Sequence, residues 1–172
     1  MLSCTFQGGR EVIIHKDGNI ADAYKHGELI AHCVSSDFEM GIGVAKVLAD
    51  LIPEMREDLR KAFPRKRSKS EFKPTVVSYK EVIWNLVTKY RYYDKPTVTE
   101  VRESLIELRR ALRVWFGESP VNVKKISMPK IASGADKIPW DITEAMIDEI
   151  FAGDEFIITV YRFSRPRVKH KV

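Results

Sequence analysis

Short apolar runs and helical periodicities alternate along this chain. Residues 11–16 (EVIIHK) and 29–34 (LIAHCV) read as strands, separated by a polar, turn-rich interval at 17–27. Residues 43–51 have the spacing of a helix that Pro53 ends or kinks, and 53–63 resume that spacing with the charges on one face. Two further apolar runs, 75–79 and 82–88, flank Lys80-Glu81 and predict a hairpin or near-hairpin step between adjacent strands. After Pro96, Thr97-Val98-Thr99-Glu100 is a capping-box signature for a helix reaching Phe116, with Val101, Leu105, Leu108, Leu112 and Trp115 on its apolar stripe. Residues 123–128 predict another strand, Asp141-Ile142-Thr143-Glu144 a second capping-box-like start for a helix to Phe151, and 156–163 a closing strand.

Strands that alternate with helices of this length require crossover connections, hence a mixed, largely parallel sheet covered on both faces. The fold expected is an α/β three-layer α/β/α sandwich forming a single domain over 1–163. Residues 164–172 have no apolar period and read as a loose basic tail, and 65–73 as a surface loop within the domain.

With 44% hydrophobic and 31% charged residues, the 172-residue chain has the make-up of a soluble globular domain large enough to bury a core without metal or disulfide staples. Its two cysteines, Cys4 and Cys33, argue against a disulfide framework and for a reducing, intracellular setting in cytoplasm or nucleus. No run approaches membrane-spanning length, and no His/Cys/Asp spacing suggests a metal site. The net charge of +5 suits an anionic partner, but much of it sits in Arg65-Lys66-Arg67-Ser68-Lys69 and in 162–171. Neither cluster has interleaved aromatic residues along the chain, so contact with nucleic acid or poly(ADP-ribose) is a weaker reading.

The chemistry points to two glycine-bearing segments about ninety residues apart. One is His32-Cys33-Val34-Ser35-Ser36-Asp37-Phe38-Glu39-Met40-Gly41-Ile42-Gly43-Val44-Ala45, the other Met128-Pro129-Lys130-Ile131-Ala132-Ser133-Gly134-Ala135-Asp136-Lys137-Ile138-Pro139-Trp140. Each follows a buried-strand pattern and precedes a helical one, so both loops emerge at the carboxyl edge of the sheet, where open α/β folds bind ligands. Glycine lets backbone N–H groups approach phosphate oxygens, and a following helix N-terminus favours negative charge. Two such loops would cradle a diphosphate. His32 reads either as a hydrogen-bonded core histidine or as a ligand-side group, and Cys33 as a small buried hydrophobe.

Taken in order, Ala31-His32-Cys33-Val34-Ser35, Met40 to Ala45, Thr88-Lys89, Met128 to Asp136 and Ile158-Thr159-Val160-Tyr161 resemble the macrodomain family. Within it, the chain is similar to the branch of terminal ADP-ribose protein glycohydrolase and the yeast-type ADP-ribose-1″-phosphate phosphatases. The resemblance implies an ADP-ribose cleft in which Gly41, Ile42, Gly43 and Val44 face Ile131, Ala132, Ser133, Gly134 and Ala135 around the diphosphate and distal ribose. It places Ile20 beside adenine, Phe163 at the adenine rim and Ser35 near the ribose. Asn19 stands where many members have an aspartate that accepts from the adenine amino group, and its carbonyl oxygen can accept in the same way.

By the same resemblance, Lys89 and Asp136 are the catalytic pair. An amine can capture the electrophilic C1″ of the distal ribose while a carboxylate shuttles the proton. The function implied is release of ADP-ribose from acidic side chains or from O-acetyl-ADP-ribose, without cofactor or metal and with ADP-ribose or ADP-ribosylated protein as partner. Dephosphorylation of ADP-ribose-1″-phosphate and binding without turnover are the alternatives. A monomer is favoured, and no membrane partner is expected.

Overall fold

The structure, a computed structural model, describes residues 12–117, 124–153 and 156–163. The order of elements is β1 (Ile13–Asp17), α1 (Ile20–Lys25), β2 (Ile30–Ser35), α2 (Gly43–Leu51), α3 (Met55–Ala62), β3 (Thr75–Tyr79), β4 (Ile83–Lys89), α4 (Val98–Phe116), β5 (Lys124–Pro129), α5 (Trp140–Phe151) and β6 (Phe156–Arg162). A short 3₁₀ turn, Lys69–Glu71, interrupts the basic loop. The six strands form one sheet in the order β1-β6-β5-β2-β4-β3. Every neighbouring pair is parallel except β3 with β4.

Helices cover both faces, as the crossovers require. Ala31, Leu86, Ile126, Met128, Ile158 and Val160 pack with Leu105, Leu108 and Leu112 of α4 and Ile147 of α5. The other face joins Ile30, Val34, Ile83, Val87 and Tyr161 to Ile20 of α1, Leu48 of α2 and Met55 and Leu59 of α3. Because side chains alternate across a strand, adjacent residues of β2 serve opposite cores, which explains its unbroken apolar run. β3 and β4 form the expected hairpin. The connection is three residues long, from Tyr79 to its partner Ile83; within it Val82 N–H donates to Tyr79 C=O at 3.1 Å, and the two central residues of that turn, Lys80 and Glu81, have φ +49° and +58°.

The capping box on α4 is present in both directions, with the Thr97 hydroxyl accepting from Glu100 N–H and the Glu100 carboxylate from Thr97 N–H. Three local expectations need correction. The polar interval at 17–27 contains α1, a helix of 6 residues that Asn19 caps through its side chain while Ile20, Ala21 and Ala23 are buried. The helix expected to start with Asp141 as cap begins at Trp140, with Pro139 at the N-cap and Asp141 already in the first turn. Trp115 is 44% exposed and not a core residue, its ring tilted against Trp84 at 6.5 Å. The basic tail at 164–172 lies outside the described residues, as do Cys4 and Glu11.

Candidate active site

Parallel β2, β4 and β5 end at one edge of the sheet, and the segments that follow them enclose a cavity of about 730 Å³. That volume lies within the range of small-ligand clefts. Its walls include Ser35, Glu39 and Met40 after β2, Gly41 to Ala45 at the start of α2, Lys89 and Tyr92 after β4, and Pro129 to Ala132 with Gly134 to Asp136 after β5.

The first loop is held by its own apolar side chains. Phe38 and Met40 are buried in the core although both have left-handed backbones near φ +49°, so packing offsets the local strain. Gly43, at φ +61°, opens α2 from the same left-handed region. A Cβ there would meet no atom within 4 Å, so the requirement is conformational, not a lack of room. No side chain caps α2, and its first turn carries no acidic residue. Its leading N–H groups and positive dipole end therefore form a ready anion site on the cavity wall.

The second loop closes on itself. Ile138 N–H donates to Ala132 C=O at 2.9 Å and Lys137 N–H to Gly134 C=O at 3.1 Å, with Ala132 and Lys137 both left-handed. Lys95 reaches across from the segment after β4, its ammonium donating to Ala135 C=O.

Lys89 and Asp136 meet in this cavity. Lys89 ends β4 where the β2/β4 pairing slips: Val34 faces Val87 but Ser35 faces Lys89, so Thr88 is the extra residue. Such an irregularity re-aims the strand end. Lys89 Nζ donates to Asp136 Oδ1 at 2.7 Å, the two side chains being 13% and 10% exposed. Cys33 packs at the margin of the core under α4 and α5 and borders the cavity, and burial followed by the Asp136 charge pushes its thiol up to about 12. It is a neutral wall, not a nucleophile.

His32 also borders the cavity from below, but it is a core residue. Its Nε2 and Asn85 Oδ1 are 2.6 Å apart, and Asn85 Nδ2 donates to Val77 C=O, which fixes the amide and makes Nε2 the proton-bearing nitrogen. Burial drives its pKa down to about 4, with the Asn85 bond opposing, so the ring is neutral.

The structure therefore gathers Ser35, Gly41, Ile42, Gly43, Val44, Lys89, Ile131, Ala132, Gly134, Ala135 and Asp136 around one cavity, with His32 beneath. Four other candidates do not line it. Asn19 Oδ1 accepts from Ala21 N–H as a helix cap, Ile20 is buried behind it, and the Ser133 hydroxyl turns to Ile131 C=O. Phe163 is 68% exposed just past β6, beside the end of β1, where Gly18 N–H donates to Arg162 C=O. Asp37 and Glu39 lie within the first glycine-bearing segment but have no signal of their own there, and Tyr92 joins them only because the fold brings a segment 55 residues from Asp37 to the same place. A similar effect changes the basic cluster. Tyr90, Arg91 and Tyr93 join Arg67 and Lys69 around a smaller cavity of about 260 Å³, so aromatic rings absent from the linear cluster are present in the folded one.

No family model matches the chain. It is 32% identical over 132 residues to the human ADP-ribose glycohydrolase OARD1, covering 77% of this chain and 80% of that protein. Among solved structures, the macrodomain of Mycobacterium tuberculosis DarG superposes with a TM-score of 0.70 at 22% identity, over 91% of this chain and all of that one. Thermosipho africanus DarTG in complex with ADP-ribose superposes with a TM-score of 0.66 at 13% identity, over 95% of this chain and 43% of that one. The six-stranded mixed sheet, the two loops at its carboxyl edge and the identity to the human protein together establish that this chain belongs to the macrodomain family.

Proposed function

We propose that this protein is an ADP-ribosyl hydrolase that releases ADP-ribose from acidic side chains, or from O-acetyl-ADP-ribose, with Lys89 and Asp136 as its working pair. The observation that carries this is the 2.7 Å Lys89–Asp136 contact inside a cleft that also presents an uncapped helix N-terminus. A diphosphate suits the α2 N-terminus, and a binding module without turnover has no need of a mostly buried amine and carboxylate in contact. The likeness to a human protein named ADP-ribose glycohydrolase and to a structure holding ADP-ribose supports the same reading.

The pair suggests its own chemistry. An ammonium has no lone pair, so Lys89 becomes a nucleophile only by giving a proton to Asp136, which the 2.7 Å contact allows. The free amine then forms a bond to C1″ as the C1″–O bond to the acyl group breaks, and the carboxylate leaves with that electron pair. Asp136 delivers its proton to the ribose ring oxygen and takes one from the substituted nitrogen, as the C1″–ring-oxygen bond breaks and the ring opens to an iminium. Water adds to the iminium carbon, the C–N bond breaks to release ADP-ribose and the Lys89 ammonium, and Asp136 gives its remaining proton to solvent.

The test is to incubate the protein separately with a glutamate-linked mono-ADP-ribosylated peptide and with ADP-ribose-1″-phosphate. Consumption of the first is expected. Consumption of the second alone would make the protein a phosphatase, and binding of ADP-ribose with consumption of neither would make it a reader.

A further inference from the structure

Asp37 is not on the cavity wall, yet its carboxylate collects three residues that are. Oδ1 accepts from the Ser35 hydroxyl and from Glu39 N–H at 3.1 Å, and Oδ2 accepts from Tyr92 N–H at 3.0 Å. Ser35, Glu39 and Tyr92 all line the cavity. The backbone around Asp37 is fixed as well, since Ser36 N–H donates to Lys89 C=O at 2.9 Å and Arg60 Nε donates to Asp37 C=O at 2.9 Å.

The consequence lies in the Ser35 hydroxyl. A hydroxyl has one proton and two lone pairs, and a carboxylate can only accept. With its single proton committed to Asp37, Ser35 offers the cavity lone pairs alone. It stands directly across the strand pairing from Lys89. A neutral hydroxyl donor at that point gains a hydrogen bond, whereas an oxyanion there meets two lone pairs with a carboxylate behind them. We propose that Asp37 is a positioning residue that fixes Ser35 as a hydrogen-bond acceptor, so that the Lys89 end of the cleft selects a sugar hydroxyl over a phosphate oxygen. The inference rests on the ADP-ribose reading and extends it to the part of the ligand beyond the diphosphate. Asp37→Asn removes the arrangement, because an amide has one accepting oxygen and its NH₂ must then face at least one of the three donors.

Calorimetric titration of ADP-ribose and of ADP, which lacks the distal ribose, tests this. Wild type should prefer ADP-ribose. Asp37→Asn and Ser35→Ala should each weaken ADP-ribose by about five- to tenfold, the scale of one hydrogen bond to a neutral group, and ADP by less than about twofold. The double variant should lose no more than either single one, since both act through one hydroxyl. Equal weakening of the two nucleotides by Asp37→Asn, or losses that multiply in the double variant, would overturn the proposal. Ser35→Ala leaves the backbone ties of Asp37 in place and retains the ADP comparison if Asp37→Asn fails to fold. A wild type that binds neither nucleotide would instead overturn the ADP-ribose reading itself.

Discussion

Lys89 and Asp136 form a mostly buried ion pair, 2.7 Å apart, although 47 residues separate them in sequence. The last residue of β4 and the loop after β5 are brought together by the β4-β2-β5 order of the sheet. Breaking a buried pair from one side leaves an unpartnered charge, which costs more than losing the pair.

The stability consequence is specific. Asp136→Ala should destabilise the fold by about 2–3 kcal/mol, and Lys89→Ala by a similar amount. Adding Lys89→Ala to Asp136→Ala should restore part of that loss instead of doubling it. Urea unfolding of the three variants measures this, and strict additivity would contradict it.

Gly43 predicts a separation of strain from binding. At φ +61° any L-residue there costs about 1–2 kcal/mol, so Gly43→Ala should lower stability by that amount. Gly43→Glu should melt within a few degrees of Gly43→Ala, because a side chain at 43 meets open space. It should also abolish the thermal shift with ADP-ribose, since it sets a carboxylate at the anion site of α2. A full ligand shift in Gly43→Glu would remove the diphosphate from this loop.

Much of the layout was legible because burial writes itself into the pattern. β2 and β4 are covered on both faces and read as continuous apolar runs, and the α4 start was fixed by Thr97 and Glu100 alone. α1 was not legible. With 6 residues it has too little periodicity to register, and it stands on the Asn19 cap and on tertiary burial of Ile20 and Ala23. Asp141 misled because a cap signature one residue inside a helix looks the same as one at its start. In the site, the glycine loops could be placed from local pattern and Lys89 and Asp136 from a resemblance. Asp37 could not, because its role depends on Tyr92 arriving from another strand end.

His32 predicts a pH dependence of stability. Its pKa is about 4 in the fold against 6.5 in the unfolded chain, so only the unfolded chain takes up the proton between those values. Stability should be full above about pH 6.5 and fall as the pH drops toward 4, by about 3 kcal/mol over the whole interval. His32→Gln, which keeps a donor for Asn85, should flatten that part of the profile. Urea midpoints at pH 7 and pH 4.5 for both proteins give the comparison, and an equal drop in the variant would assign the acid sensitivity elsewhere.

The most direct measurement is single-turnover release of ADP-ribose from a glutamate-linked peptide by wild type and Lys89→Ala, with ADP-ribose affinity measured in parallel. A nucleophile acts in the transition state while the diphosphate is held by the loops. The rate should fall on the order of a thousandfold, about 4 kcal/mol of barrier, with affinity changed by less than about threefold. Borohydride added during wild-type turnover should trap a covalent adduct on Lys89. An undiminished rate in Lys89→Ala with intact binding would contradict the amine mechanism and leave Asp136 acting on water.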